Sequence, residues 1–236
     1  MPRLQLGPTA LDLDGILFDV GGTLLRLDHG FLAGLARRRG HPVGVAALAR
    51  GEASARREVD RRAARDGGIR DRDADRLVGY FGAIFAAAGV ASGDAAGLAA
   101  EVAEAHRHAN LWRVPLPGAA AALAGLRSRG FRVAAVSNAD GRVASVLEIA
   151  GLAGHLDAIL DSHLEGVEKP APEIFHRALE RLGGLSASRA AYVGDIYAID
   201  VVGARGAGLH PILIDETGSQ DGVDCPRISR LDALLA

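Results

Sequence analysis

The sequence has 236 residues, of which 49% are hydrophobic and 24% charged, and its formal net charge at pH 7 is -2. This length and composition exclude a disordered chain and predict one large domain, or one and a half. The slight negative charge gives no attraction to nucleic acid or to an anionic membrane, so we expect neither as a partner. With one cysteine, Cys225, no internal disulfide forms, and residues 1–15 lack the apolar stretch of a secretory signal. We therefore expect a cytoplasmic protein.

Five short apolar runs predict buried strands, and they lie at residues 16–20, 131–137, 156–160, 190–193 and 211–214. Helical patterns fall between them, at residues 143–150 and 175–182, with apolar side chains three, four and seven positions apart. Strands that alternate with helices of this length predict an α/β fold with a parallel sheet covered on both faces.

Residues 27–113 break this alternation. The segment lacks clear strand runs, is rich in Ala, Arg and Glu, and carries apolar stripes at helical spacing. We predict an inserted all-helical domain here, with residues 1–26 and 114–236 forming the core that contains the sheet.

The basic residues are almost all arginine, since the sequence contains 26 arginines and one lysine, Lys169. A guanidinium is wide and planar, whereas an ammonium is compact and fits between several oxygens. The lone lysine is therefore predicted to lie where arginine does not serve; the alternative is chance.

Polar residues collect where the predicted strands end. Asp19, Ser137 and Asp195 lie at the ends of the first, second and fourth apolar runs. Lys169 comes after the third run, residues 156–160. Because ligands bind at the carboxyl ends of strands in open parallel sheets, these side chains are expected at one edge. Two acids suit a hard divalent cation, and a lysine with a serine suits the oxygens of an anion. The sequence thus predicts a site for phosphate and Mg²⁺.

Four segments resemble, in order, the four motifs of the haloacid dehalogenase-like hydrolase superfamily. They are Asp19-Val20-Gly21-Gly22-Thr23-Leu24, Ser137-Asn138, Lys169-Pro170, and Gly194-Asp195 with Asp200. The resemblance covers nearly the whole chain. It implies a Rossmann-like core, and it implies that the helical segment is the family's cap domain.

The resemblance also implies a phosphatase acting on a small phosphorylated metabolite. Asp19 would be the nucleophile that forms an aspartyl-phosphate, and Ser137 and Lys169 would bind phosphoryl oxygens. Mg²⁺ would be held by Asp19, Asp195 and the backbone carbonyl of Gly21. Asp200 would orient metal-bound water or Lys169. The further substrate contacts would come from Gly22, Thr23 and Asn138. A monomer or homodimer is expected.

The sequence departs from the family pattern at Gly21, where family phosphatases usually carry an aspartate as general acid and base. Such a group is typically worth about 10²–10⁴-fold in rate. Asp28 and His29 are conceivable substitutes.

A phosphatase for substrates with good leaving groups is the first hypothesis, and a protein that binds a phosphate or metabolite with little or no turnover is the alternative. The cap holds no lysine, which disfavours phosphonate cleavage, and the metal-binding form of the fourth motif disfavours dehalogenation.

Overall fold

The computed structural model describes residues 2–7, 9–66, 74–218, 220 and 222–236. The chain divides into two compact units, one made of Met1–Arg26 with Arg113–Ala236 and the other of Leu27–Trp112. Among the described residues, no helix combines the length and the apolar character needed to cross a membrane.

A parallel sheet forms the centre of the first unit. From one edge to the other its strands, numbered in chain order, are β10 (Arg227–Ile228), β9 (His210–Ile214), β8 (Ala190–Gly194), β3 (Gly15–Phe18), β6 (Arg132–Ser137) and β7 (Ala158–Asp161). All residues of β3 and β8 are buried, which explains their continuous apolar runs, since parallel strands are covered on both faces. The predicted α/β class with a Rossmann-like parallel sheet is confirmed.

Helices cover this sheet, and they are α5 (Ala119–Ser128), α6 (Val143–Ile149), α7 (Ser162–Glu165), α8 (Pro172–Arg181) and α9 (Val202–Gly206). The first turn of α8 contains Pro172. Proline is well tolerated there because the N–H groups of a first turn have no partner within the helix, so the N–H that proline lacks is not missed. The buried face of α8 packs Phe175 against Tyr192 of the sheet. This packing places the loop before α8 beside the centre of the sheet.

Strand boundaries differ from the predictions by more than one residue at the first and third predicted strands. The first apolar run ends as a strand at Phe18, which leaves Asp19 in the loop that follows β3. The third strand is Ala158–Asp161 rather than residues 156–160, because a helical turn at Ala153–His155 occupies the chain just before it. An antiparallel hairpin of β1 (Arg3–Leu6) and β2 (Thr9–Asp12), which was not predicted, precedes β3.

The second unit contains α1 (His29–Arg38), α2 (Val45–Asp66), α3 (Ala74–Ala87) and α4 (Ser92–His108). Their shared core includes Leu48, Phe81, Phe85, Leu98 and Val102. The all-helical prediction for residues 27–113 is wrong at both ends, where β4 (Leu25–Leu27) pairs with β5 (Trp112–Pro115). These two segments run side by side, so their backbone groups bond to each other instead of forming helix. Residues 67–73 of this segment lie outside the described residues.

Candidate active site

Three predicted site residues meet at one edge of the sheet. Asp19 follows β3, Ser137 is the last residue of β6, and Asp195 follows β8. Because β3 lies between β6 and β8 and Phe18 is level with Ala135 and Val193, the three side chains leave neighbouring strands within one residue of the same height. All three are buried. The expected gathering of polar groups at the carboxyl ends of the strands is therefore present.

Lys169 reaches this edge from the loop before α8. Its Nζ lies 2.5 Å from Asp19 Oδ1 and 2.7 Å from Asp200 Oδ1. The lysine is only 2% exposed, so these ion pairs lie in a region shielded from water. A compact ammonium therefore sits between two carboxylates, as the composition predicted.

Burial and charge set the protonation of this pair. Burial raises the pKa of Asp19 to about 6, against the lowering effect of the Lys169 ammonium. Burial alone would lower the pKa of Lys169, but the charges of Asp19 and Asp200 outweigh it and hold that pKa above its ordinary value. At neutral pH the lysine is therefore charged, and its ammonium favours the ionised form of Asp19, which can act as a nucleophile or a ligand.

Asp200 organises the loop that carries Asp195. Its Oδ2 accepts hydrogen bonds from the backbone amides of Asp195 at 3.1 Å and Ile196 at 3.0 Å, while its Oδ1 accepts from Lys169. The close approach requires glycine at position 194, because a Cβ there would lie 2.4 Å from the Cβ and Cγ of Asp200. The fourth motif is thus a tight turn fixed by the carboxylate at its end.

The carboxylates of Asp19, Asp195 and Asp200 fit a divalent cation. Each offers an oxygen within 4.8 Å of the others, and all three are buried. Both oxygens of Asp200 already accept hydrogen bonds, which leaves Asp19 and Asp195 better placed as direct ligands. Three carboxylates, two of which contact one ammonium, make a negative cluster, and hard cations prefer such oxygen ligands.

The loop after Asp19 is a tight turn. The carbonyl of Val20 accepts from the amide of Thr23 at 3.3 Å, and the amide of Gly22 donates to Leu25 O at 2.7 Å. The positive φ of this loop, 90°, belongs to Gly22 and not to Gly21. Thr23 is fully buried, and its hydroxyl has no hydrogen-bond partner among the described residues. Substrate contacts by Gly22 and Thr23 stay predictions.

The side chain of Asn138 holds the backbone of Lys169. Its Nδ2 donates to Lys169 O at 2.9 Å, and its Oδ1 accepts from Lys169 N at 2.8 Å. An amide carries both a donor and an acceptor, so it pairs with the N–H and the C=O of one residue, as a neighbouring antiparallel strand would. In this structure Asn138 therefore orients the lysine loop, and its predicted contact with substrate stays a prediction.

Two residues with clear contacts to the site were not predicted from the sequence. Tyr192, inside β8, places its hydroxyl 2.7 Å from Lys169 Nζ. Asp161, at the end of β7, accepts from the amides of Gly141 at 2.9 Å and Val143 at 3.2 Å, and so fixes the loop after Asn138. A tyrosine within an apolar strand needs a partner for its hydroxyl, and an aspartate before a helix is a usual N-cap. Either signal would have marked these positions without naming the partner.

Asp28 and His29, the conceivable substitutes for the missing acid, are both engaged within the helical unit. Asp28 caps α1 by accepting from Phe31 N at 2.8 Å. The His29 Nε2 lies 2.7 Å from Glu52 Oε2, with both residues buried, and Tyr80 donates to the other Glu52 oxygen at 3.3 Å. These contacts tie the start of α1 to α2 and α3.

Sequence comparison assigns the chain to a family. The model of the haloacid dehalogenase-like hydrolase family matches residues 13–208, so the chain belongs to that family. The haloacid dehalogenase-like hydrolase domain-containing protein 3 of Bos taurus is 45% identical over 103 residues, which are 44% of this chain and 40% of that protein. Ribulose-1,5-bisphosphate 5-phosphatase of Halopiger xanaduensis is 34% identical over 110 residues, 46% of each protein. The chain thus spans less than half the length of these relatives.

Solved structures agree on the fold. The HAD-hydrolase YfnB from Bacillus subtilis, solved bound to magnesium, superposes with a TM-score of 0.66 at 23% identity. The match covers 94% of this chain and 96% of that one. At this identity the likeness extends to the fold alone. The chain is therefore a member of a hydrolase family whose relatives include a phosphatase.

Proposed function

We propose that this protein is a Mg²⁺-dependent phosphatase that acts on a small phosphorylated metabolite through an aspartyl-phosphate on Asp19. The proposal is carried by one observation: a buried carboxylate at the end of the central strand, with an ammonium 2.5 Å away and further carboxylates beside it. A nucleophile, a cationic group for phosphoryl oxygens and ligands for a hard cation are the parts that phosphoryl transfer requires. The ribulose bisphosphatase relative supports the same reaction class.

In the proposed reaction, a carboxylate oxygen of Asp19 attacks phosphorus. The bond from phosphorus to the leaving oxygen breaks, and the leaving group departs with the electron pair. Water then attacks the aspartyl-phosphate, which releases inorganic phosphate and restores Asp19. The Lys169 ammonium and the Ser137 hydroxyl would bind phosphoryl oxygens during both steps, and Asn138 would keep the lysine loop in place.

Asp19, Asp195 and the backbone carbonyl of Gly21 would hold the Mg²⁺. When bound, the ion supplies positive charge that offsets the charge of the phosphoryl group. Asp200 would act indirectly, because its two oxygens hold Lys169 and the loop of Asp195 in place.

The leaving group is restricted by Gly21, which offers no side chain to protonate it. An alkoxide leaves badly without a proton, whereas a carboxylate or an aryl oxide leaves readily. Substrates with good leaving groups, such as acyl or aryl phosphates, therefore suit this site best. The lone cysteine suits the reducing cytoplasm, where we place the reaction.

The test is Mg²⁺-dependent phosphate release from acetyl phosphate, p-nitrophenyl phosphate and glycerol phosphate. Asp19→Asn is expected to abolish release while the protein stays folded, and Asp195→Asn to weaken Mg²⁺ binding measured by calorimetry. Asp14→Asn is the matched control, since Asp14 pairs with Arg189 at the amino ends of β3 and β8, opposite the carboxyl ends that carry the site. Turnover by a folded Asp19→Asn protein would contradict the covalent mechanism.

The second candidate is a phosphate- or metabolite-binding protein with little turnover, and the observation that favours it is Gly21 itself. It predicts that phosphate binds with an affinity that depends on Lys169, while the wild-type protein releases phosphate from none of the three substrates. Magnesium-dependent release from acetyl phosphate would exclude it.

A further inference from the structure

The ammonium of Lys169 has three N–H donors and three close acceptors. Two acceptors are the carboxylates of Asp19 and Asp200, and the third is the hydroxyl of Tyr192 at 2.7 Å. Together with the bond to Cε, these three acceptors complete the tetrahedral arrangement around Nζ. The tyrosine hydroxyl is the one of the three that carries no charge and takes no part in the proposed chemistry, so it can hold the ammonium while Asp19 reacts.

Tyr192 is itself rigidly held. Its hydroxyl donates to the backbone carbonyl of Val136 at 3.0 Å, so the one hydroxyl proton is used and the oxygen is left to accept from Lys169. Its ring packs edge-on against Phe175 with centroids 4.9 Å apart, and the residue is 1% exposed. Burial raises the pKa of Tyr192 well above its ordinary value, so the phenol keeps this proton.

The hydroxyl holds Lys169 from the side of the core. Val136 and Phe175 lie under the strand ends, whereas a substrate approaches the edge where Asp19 and Ser137 lie. A phosphoryl oxygen would therefore replace Asp19 as the acceptor of one N–H when Asp19 reacts, and it does not compete for the N–H that Tyr192 occupies. The tyrosine contact is compatible with each stage of the reaction.

We propose that Tyr192 is a positioning residue, whose hydroxyl orients the Lys169 ammonium for phosphoryl transfer. This rests on the proposed function, in which Lys169 binds phosphoryl oxygens. An ammonium that lacks this contact still attracts a bound phosphate by its charge, but it is held less firmly in the alignment that the transition state needs. Removing the hydroxyl should thus lower kcat more than it changes KM.

The substitution Tyr192→Phe keeps the ring and removes the hydroxyl. We expect kcat for acetyl phosphate to fall about tenfold or more, the rate equivalent of one hydrogen bond, with KM changed less than about threefold. Tyr197→Phe is the control, because that hydroxyl bonds to Asp224 at 2.5 Å instead of to the site. Its kcat should equal that of the wild type.

A spectroscopic measurement reads Lys169 directly, since it is the only lysine in the sequence. Protein labelled with ¹⁵N-lysine gives one side-chain ¹⁵Nζ signal, which buried hydrogen bonds protect from exchange with water. The signal should shift or broaden in Tyr192→Phe and stay unchanged in Tyr197→Phe. If Tyr192→Phe does not fold, wild-type protein made with 3-fluorotyrosine, a weaker acceptor, should show the shift.

The proposal is overturned by an unchanged ¹⁵Nζ signal, or by an unchanged kcat in a folded Tyr192→Phe protein. A wild-type protein without turnover would instead overturn the proposed function. In that case inorganic phosphate serves as the probe for the proposal on Tyr192. Addition of phosphate should shift the ¹⁵Nζ signal of the wild type. An equal shift in Tyr192→Phe would overturn the proposal that Tyr192 orients the ammonium.

Discussion

Replacing Lys169 by arginine conserves the charge and tests whether the site needs the shape of an ammonium. Three acceptors lie around a single nitrogen at 2.5, 2.7 and 2.7 Å, and the residue is 2% exposed. A planar guanidinium cannot direct its donors to three acceptors around one point. If it kept one contact and lost two, at about 1.5–3 kcal/mol for each hydrogen bond to a charged group, the cost would be about 3–6 kcal/mol.

This cost should appear both in stability and in catalysis. We expect Lys169→Arg to lower kcat/KM for acetyl phosphate by at least about 100-fold, which corresponds to about 3 kcal/mol of barrier. Urea unfolding should show a lower free energy of unfolding. Lys169→Met, which removes the charge and keeps a similar length, provides the comparison: the arginine variant should resemble it in rate rather than the wild type.

An exposed arginine gives the control for the exchange of the two residues. Arg181 pairs with Glu165 on the surface, and Arg181→Lys should leave the rate and the stability unchanged. A Lys169→Arg protein within about threefold of the wild type in kcat/KM would refute the reasoning, since the lone lysine would then be interchangeable with arginine.

Two further changes test the missing acid and the helical unit. Gly21→Asp should raise turnover of glycerol phosphate far more than that of acetyl phosphate, with a ceiling of about 10⁴-fold, because only the alkoxide needs a proton. Gly21 lacks the positive φ that would strain an aspartate. An equal gain on both substrates, at similar thermal stability, would contradict the role of position 21 as the site of the missing acid. Burial would raise the pKa of Glu52, but the hydrogen bond with His29 and the charge of Arg56 hold it below its ordinary value. The stability supplied by ionised Glu52 is therefore complete above its unfolded pKa of about 4.5 and is lost as pH falls through the lower folded value. Glu52→Gln should cost about 1–3 kcal/mol in urea unfolding at pH 7 and less at pH near 3.5; an equal cost at both would show that its charge is not what stabilises.

Several features of the first unit followed from local sequence. The strands β3 and β8 are buried on both faces, so each is an unbroken apolar run that ends at a polar residue. Parallel strands share one carboxyl edge, so the order of residue types along the chain was enough to predict that Asp19, Ser137 and Asp195 lie together. The sole lysine likewise marked the need for a compact cation.

Other elements carried too weak a local signal. The strand β10 has two residues, and β4 and β5 exist because two separated segments pair with each other. Such pairing depends on which segments the rest of the fold brings side by side, and no periodicity in either segment records it. The sequence therefore predicted helix across residues 27 and 112–113, where the structure has strands.

Only the tertiary structure decided the partners of the site residues. Lys169 lies 150 positions from Asp19 and 23 from Tyr192, yet its nitrogen contacts both. The side-chain amide of Asn138 forms two hydrogen bonds with the backbone of the same lysine, and His29 faces Glu52 on another helix. Residue types and spacing show which groups a segment can offer. Which group meets which depends on side-chain directions across packed elements, and those directions are fixed only when the whole core forms.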